Sequence, residues 1–201
     1  MLMLKDIYVF KYINMPSLNK AFLENLQDDY KSYPCFIETG TNLGVTIFAM
    51  EPLFNALHTI EFSPHYYNNT KNSYNGNKIN FLLGDSSVVL ESLLPSVNTK
   101  CIFFLDAHWS GGDTGHSEKD CPLVEEITHI QHLCKHEAII IVDDVRLFGL
   151  DKSSGKLNED WSNINQEKLL SILRTRIAKV YHRDSDCAKD DRLVIHINAI
   201  V

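Results

Sequence analysis

Apolar residues along the chain gather into short unbroken runs at residues 34–38, 57–61, 79–83, 101–105 and 137–142, and the stretches between them carry apolar positions at helical spacing. Such runs read as strands, and their regular alternation with helices predicts a mostly parallel sheet flanked by helices. Ahead of the first run, Leu18, Ala21, Phe22 and Leu26 recur at helical spacing over residues 17–30, and Ser17 is placed to cap the start. The first crossover helix is predicted at residues 43–51, with Pro52 as its stop. A later helix takes Pro122 into its first turn and turns Leu123, Ile127, Ile130 and Cys134 inward. Residues 166–174 read as a further helix, and residues 178–182 and 192–198 as the last two strands. The polar stretch 183–191 between those strands is too short for a crossover helix, so the two must pair antiparallel. We therefore expect a single α/β domain over residues 1–201, with a helical segment in 1–33 and a doubly wound core in 34–201 that has one antiparallel edge strand. Two polar segments, 110–120 and 151–161, are candidate lids.

The candidate chemistry lies where these runs stop. The segment FIETGTNLG carries Glu38 into a turn whose glycines, Gly40 and Gly44, open a helix. That layout suits a nucleotide-type cofactor: Gly40 permits the tight turn, and Gly44 lets the helix approach sheet and ligand. The next three runs end at Glu61, Asp85 and Asp106. Acids at the carboxyl ends of successive parallel strands converge on one crevice, so a single site is expected.

Composition narrows the partners. With 201 residues and 44% hydrophobic content the chain can bury one substantial core. A net charge of −7 without clustered Lys and Arg argues against nucleic acid as a partner. No run approaches the length that spans a bilayer, so a soluble protein with no membrane partner is expected. Five cysteines, an odd number without a close CxxC pair, fit a reducing, cytoplasmic setting. Cys35 and Cys101 lie inside strand runs and read as small buried hydrophobes.

The series ETGTNLG, Glu61, GDS and LDAHW, within residues 34–149, resembles the class I methyltransferases that use S-adenosylmethionine. The resemblance implies a Rossmann-like sheet of order 3-2-1-4-5-7-6 and a cofactor site made by Glu38, Gly40, Thr41, Asn42, Gly44, Glu61, Phe62, Asp85 and Ser86. It places the glycine turn along the methionine and ribose, Glu61 on the ribose hydroxyls, and Asp85 beside the adenine amino group with Ser86 as a backbone donor. Glu38 has two roles open to it, the cofactor ammonium or the turn backbone; Phe62 is either an adenine-stacking ring or a core aromatic. A carboxylate suits a free diol and would repel a phosphorylated ribose. A nicotinamide cofactor is the main competitor, but Thr41 and Asn42 stand where a pyrophosphate needs close backbone approach.

Asp106 and His108 close the fourth run, and on extended chain both would face one pocket. The fifth run ends in Asp143 and Asp144. Neighbouring strand ends lie about 5 Å apart, so three carboxylates would converge. Such a cluster needs neutralising, and hard oxygen ligands suit magnesium or manganese. Asp106, Asp143 and Asp144 also match the metal acids of sugar O-methyltransferases related to macrocin O-methyltransferase. Some of those carry an acidic general base where this chain has His108, and an imidazole is a competent base near neutrality; orientation of Asp106 and direct metal ligation are its other readings. Trp109 and Trp161 are candidates to stack on a sugar ring or to cover the core. Arg146 is a candidate for substrate oxygens or for a salt bridge to the nearby acids, and His116 for a substrate contact.

The resemblance implies methyl transfer to a glycan or small-molecule sugar hydroxyl, a deoxysugar such as rhamnose included. Similar domains occur fused to glycosyltransferases, also in large DNA viruses of algae, which implies a domain of a longer parent chain acting in a host cytoplasm. A catechol-type O-methyltransferase is the closest rival. A nicotinamide-dependent oxidoreductase and a cofactor-binding module without turnover belong to other classes, and monomer and homodimer stay open.

Overall fold

The structure, a computed structural model, describes residues 18–108, 121–151 and 159–200. The proposed Ser17 cap, Trp109, His116, segment 110–120 and most of segment 151–161 fall outside those residues.

Seven strands form one sheet: β1 (Cys35–Thr39), β2 (Ala56–Glu61), β3 (Ile79–Leu83), β4 (Cys101–Leu105), β5 (Ala138–Val142), β6 (Ile177–Arg183) and β7 (Arg192–Ile197). Their order is β3-β2-β1-β4-β5-β7-β6, with β7 antiparallel to both β5 and β6 and every other pair parallel. This is the expected mostly parallel, Rossmann-like sheet, and its reversed element, β7, slots between β5 and the edge strand β6. All residues of β1, β4 and β5 are buried, as parallel strands with helices on both faces require.

One face packs under α1 (Lys20–Glu24) and α2 (Val45–Met50), where Leu23, Ile47 and Met50 meet Phe36, Ile102, Phe104, Ile139 and Ile141. Helix α3 (Pro64–Ser73) follows β2 on that side, its Tyr67 against the same core. The other face carries α4 (Ser86–Leu93), α5 (Leu123–Leu133) and α6 (Gln166–Leu173), whose Leu90, Ile127 and Leu169 cover Ile37, Phe103, Ile140 and Ile195. Alternate residues of each strand feed alternate cores, so the period of two is present although both phases are apolar. Among the described residues no helix is long and apolar enough to cross a membrane. Cys35 and Cys101 are buried and free, as the strand runs imply.

The N-terminal helix is shorter than its spacing predicts. It covers five residues, is capped by the Asn19 side chain, and gives way to a separate 3-10 turn at Tyr30–Ser32. The intervening residues are drawn to the sheet: Asp28 accepts from His196 Nδ1 (2.6 Å) and Lys179 (2.5 Å), and the Gln27 N–H donates to the Tyr181 hydroxyl. These contacts outweigh continued helix, which is marginal at this length without tertiary support.

The chain runs outward from β1 through β2 to β3 and returns to β4 on the other side of β1, which places a topological switch point between β1 and β4, where a parallel sheet opens a crevice. Into it the strand ends deliver Glu61, Asp106 and Asp143. The register pairs Thr39 with Ile60 and Leu105, and Leu105 with Val142, so Asp106 and Asp143 begin side by side.

Candidate active site

The first component is the turn after β1. Gly40 has φ +87°, and a Cβ there would stand 2.6 Å from the Asp106 carbonyl oxygen. Gly44, at φ +74°, precedes α2, and a Cβ on it would meet Thr70 at 2.4 Å. Asn42 between them also adopts positive φ. The turn is braced by Glu61, whose two carboxylate oxygens accept from the Asn42 N–H (2.7 Å) and the Ser63 N–H (2.8 Å). An ionised carboxylate offers about four lone-pair sites, so Glu61 retains acceptor capacity for a further ligand.

Below the turn, Thr41 and Thr59 share a hydrogen bond (2.5 Å), and Thr59 donates to Glu38 (2.7 Å). Glu38 is therefore partnered by a hydroxyl. Burial raises its pKa well above the carboxylate range, with Asp106 and Glu61 adding to the rise and Thr59 opposing it. Asp85 caps α4, taking the Ser87 N–H and hydroxyl on one oxygen. Phe62, 40% exposed, stands beside Glu61 as an open aromatic face rather than a core ring.

Replacing Gly40 by alanine is expected to push the turn off Asp106, because a side chain at this φ costs about 1–3 kcal/mol before the carbonyl clash is counted. Calorimetry should find S-adenosylmethionine affinity lowered by about tenfold or more, the equivalent of about 1.4 kcal/mol. Wild-type affinity in Gly40→Ala would show that the turn does not carry the cofactor.

The second component is acidic. Asp106 and His108 face the same place, but not along extended chain: β4 ends at Leu105, and the His108 N–H bonds back to the Asp106 carbonyl (3.2 Å) in a tight turn. His108 Nε2 lies 2.8 Å from Asp144 and 3.5 Å from Asp106. Asp106, His108 and Asp144 each present one ligand atom, all within 4.8 Å of one another. Asp143 falls in a second such group, with Asp144 and Asp191. The three acids singled out in the sequence are thus divided over two groups that share Asp144. Asp143 is held by Arg192 Nε at 3.2 Å and by the Asp144 N–H, both on Oδ1, and it lines the same small cavity as Asp106 and His108.

Burial, with Asp106 close by, pushes the Asp143 carboxyl up to about 7 against the pull of Arg192. Burial raises Asp106 likewise, although a quarter of its side chain (25%) is open to a narrow approach. Burial would lower His108, but Asp106, Asp144 and Glu159 outweigh it and hold the imidazole well above its ordinary value. At Asp144 burial is overcome by His108 and Arg146, which leave its carboxyl low. His108, Arg146 and Arg192 are the cationic partners of these acids.

Arg146 takes the second of its two readings, pairing with Asp144 and Asp191. Trp161 is 2% exposed, with His108 at 5.2 Å and Phe148 at 6.2 Å between ring centres. Its faces are occupied by the protein, so it covers the core instead of offering a platform to a sugar.

Two site residues escape the sequence reading. Glu159 accepts from His108 Nδ1 (2.9 Å) and Trp161 Nε1 (2.8 Å). It sits in a polar stretch without periodicity, and only its nearness to Trp161 could have drawn attention to it. Glu126, in the first turn of α5, is buried and lines the cavity. Burial raises it to about 7 and the Ser86 and Thr39 hydroxyls pull it back, yet among the described residues Thr39 Oγ1, Ser86 Oγ and Glu126 Oε1 all lack a partner in hydrogen-bond geometry. The inward face of α5 gives a signal here, since Glu126 is an acid among apolar neighbours.

No protein-family model and no curated protein matches the chain. Solved structures do match in fold. A candidate caffeoyl-CoA O-methyltransferase from Staphylococcus aureus superposes with TM-score 0.58 at 15% identity, covering 97% of this chain and 91% of its own. The O-methyltransferase TomG of Streptomyces achromogenes, involved in tomaymycin synthesis and solved with S-adenosylmethionine, gives 0.57 at 14%, covering 85% and 75%. An S-adenosylmethionine-dependent methyltransferase from Aquifex aeolicus gives 0.57 at 11%, covering 96% and 98%. At these identities the likeness is one of fold.

Proposed function

We propose that this chain is an S-adenosylmethionine-dependent O-methyltransferase acting on a sugar hydroxyl, such as that of a deoxysugar in a glycan, with a divalent metal. One observation carries the reading: the Glu61-braced turn and the Asp106, His108 and Asp144 cluster share a wall, because Gly40 packs directly on the Asp106 carbonyl. A cofactor along the turn would end beside the acids.

The residues fit both groups. Gly40 leaves a cradle that a Cβ would fill, Glu61 keeps acceptors for a diol, Phe62 offers an open ring, and Asp85 Oδ2 takes none of the capping bonds. Glu38, Thr41, Asn42, Gly44 and Ser86 are the further residues we assign to this cofactor site. For the metal, Asp106 and Asp144 supply carboxylate oxygens and Asp143 stands beside them, a donor set suited to magnesium or manganese.

S-adenosylmethionine supplies an electrophilic sulfonium methyl, so the protein's task is in-line placement of the acceptor oxygen. A divalent cation at the acids would supply positive charge where the acceptor oxygen becomes anionic. His108 Nε2, directed at Asp106 and Asp144, is the atom to receive the hydroxyl proton once the charge of those acids is offset and the ring is neutral. Arg192 keeps Asp143 in place from β7, and Arg146 does the same for Asp144. The acidic charge balance supports a neutral acceptor over nucleic acid. A catechol-type acceptor is the second reading, favoured by the likeness to the candidate caffeoyl-CoA O-methyltransferase.

Titration calorimetry with S-adenosylmethionine and with a nicotinamide dinucleotide tests the cofactor. Binding of the first and not the second is expected; nicotinamide binding without S-adenosylmethionine binding ends the reading. Mass spectrometry after incubation with labelled cofactor, a sugar panel and a catechol then separates the acceptors.

A further inference from the structure

We propose that Glu159 is the positioning residue of His108, fixing the rotation of the imidazole through Nδ1 so that Nε2 points toward Asp106 and Asp144. The proposal rests on the role given to His108 above and adds to it a group from a distant part of the chain.

The geometry is specific. Glu159 Oε2 receives both His108 Nδ1 (2.9 Å) and Trp161 Nε1 (2.8 Å). Glu159 is 6% exposed, and a carboxylate taken that far from water is costly unless charged or donor groups surround it. The indole N–H can only donate, so it fixes the oxygen as an acceptor. The acceptor beside His108 then takes the Nδ1–H, and this bond fixes the rotation of the ring about its side-chain axis. Nε2 is the nitrogen that faces the reaction centre.

The carrier of Glu159 is stiff. The Trp161 N–H bonds to the Leu150 carbonyl (2.8 Å), and the Gly149 N–H is shared between the Trp161 and Ile164 carbonyls (3.1 and 2.9 Å). Trp161 itself is wedged between His108 and Phe148. A carboxylate on such a support orients its histidine through one defined oxygen, as carboxylates behind functional histidines do elsewhere.

The unmodified protein provides the first test. Imidazole 15N shifts of His108 should report a protonated Nδ1; an unprotonated Nδ1 overturns the proposal outright. In Glu159→Ala the hydrogen-bonded Nδ1–H resonance should be lost to fast solvent exchange, and kcat on the acceptor found in the sugar panel should fall by about 10- to 100-fold, with the KM for S-adenosylmethionine unchanged. Glu159→Gln, which keeps a carbonyl oxygen for both donors, should restore the Nδ1–H signature and most of kcat. An unaltered Nδ1–H resonance with unaltered kcat in Glu159→Ala would overturn the assignment, as would a Gln variant no better than Ala. The NMR readout needs no turnover, so a failure here stays separate from a failure of His108 as base.

Discussion

Replacing His108 by alanine is expected to lower methyl transfer by about 100- to 10,000-fold, the span that a positioned acid or base contributes, while S-adenosylmethionine still binds. The separation follows from where the imidazole sits. Its polar contacts among the described residues are Asp106, Asp144 and Glu159, and none of them is a hydrogen-bonding partner of the turn that Glu61 braces. A hydroxyl with a pKa far above neutrality gives up its proton only as the new bond forms, so an acceptor for that proton affects turnover more than binding. The loss of the imidazole also leaves buried acids without their counter-charge, and the variant should be checked by thermal melting before its rate is read. Turnover equal to wild type in a folded His108→Ala protein would remove the base assignment.

Stripping divalent metal with a chelator is expected to reduce transfer to background, and magnesium or manganese should restore it. The electrostatics supply the reason. Asp143 is raised to about 7 and Asp106 is raised as well, both chiefly by burial, so the crevice holds carboxylates that are held back from ionising. Arg192 and Arg146 offset part of this charge from behind. A dication at the open side stabilises the ionised form of every acid it touches. Calorimetry of the chelated protein should still register S-adenosylmethionine, since Glu61 and the glycine turn act without the metal. Full activity in chelator would refute the metal and leave His108 to act with the acids alone.

Much of this architecture is legible along the chain, for physical reasons that differ by region. β1, β4 and β5 are readable because burial on both faces demands continuous apolar residues, β2 and β3 are readable although partly exposed, and the acids that follow these strands mark where backbone leaves the core. The short polar link before β7 forces its reversal. What cannot be read are partnerships made across long separations. Asp143 meets Arg192, 49 residues on, and His108 meets Glu159, 51 residues on, and neither pairing leaves a periodic trace. The first helix misleads for the same cause: its spacing is helical, but Asp28 is claimed by His196 and Lys179 on strands far along the chain. The tight turn at Asp106 and His108 shows the converse, a same-side placement expected for one geometric reason and realised through another.

The position of β7 has a consequence for biosynthesis. This strand follows the other six described strands in chain order, yet it is inserted between β5 and β6, and it brings Arg192, with Asp191 just ahead of it, to the acids. On a ribosome, β1 to β5 emerge first with the carboxylates at their tips and without this guanidinium. The crevice becomes electrically complete only when β7 closes the gap, so a nascent chain carries its recognisable fold before it can carry out its chemistry.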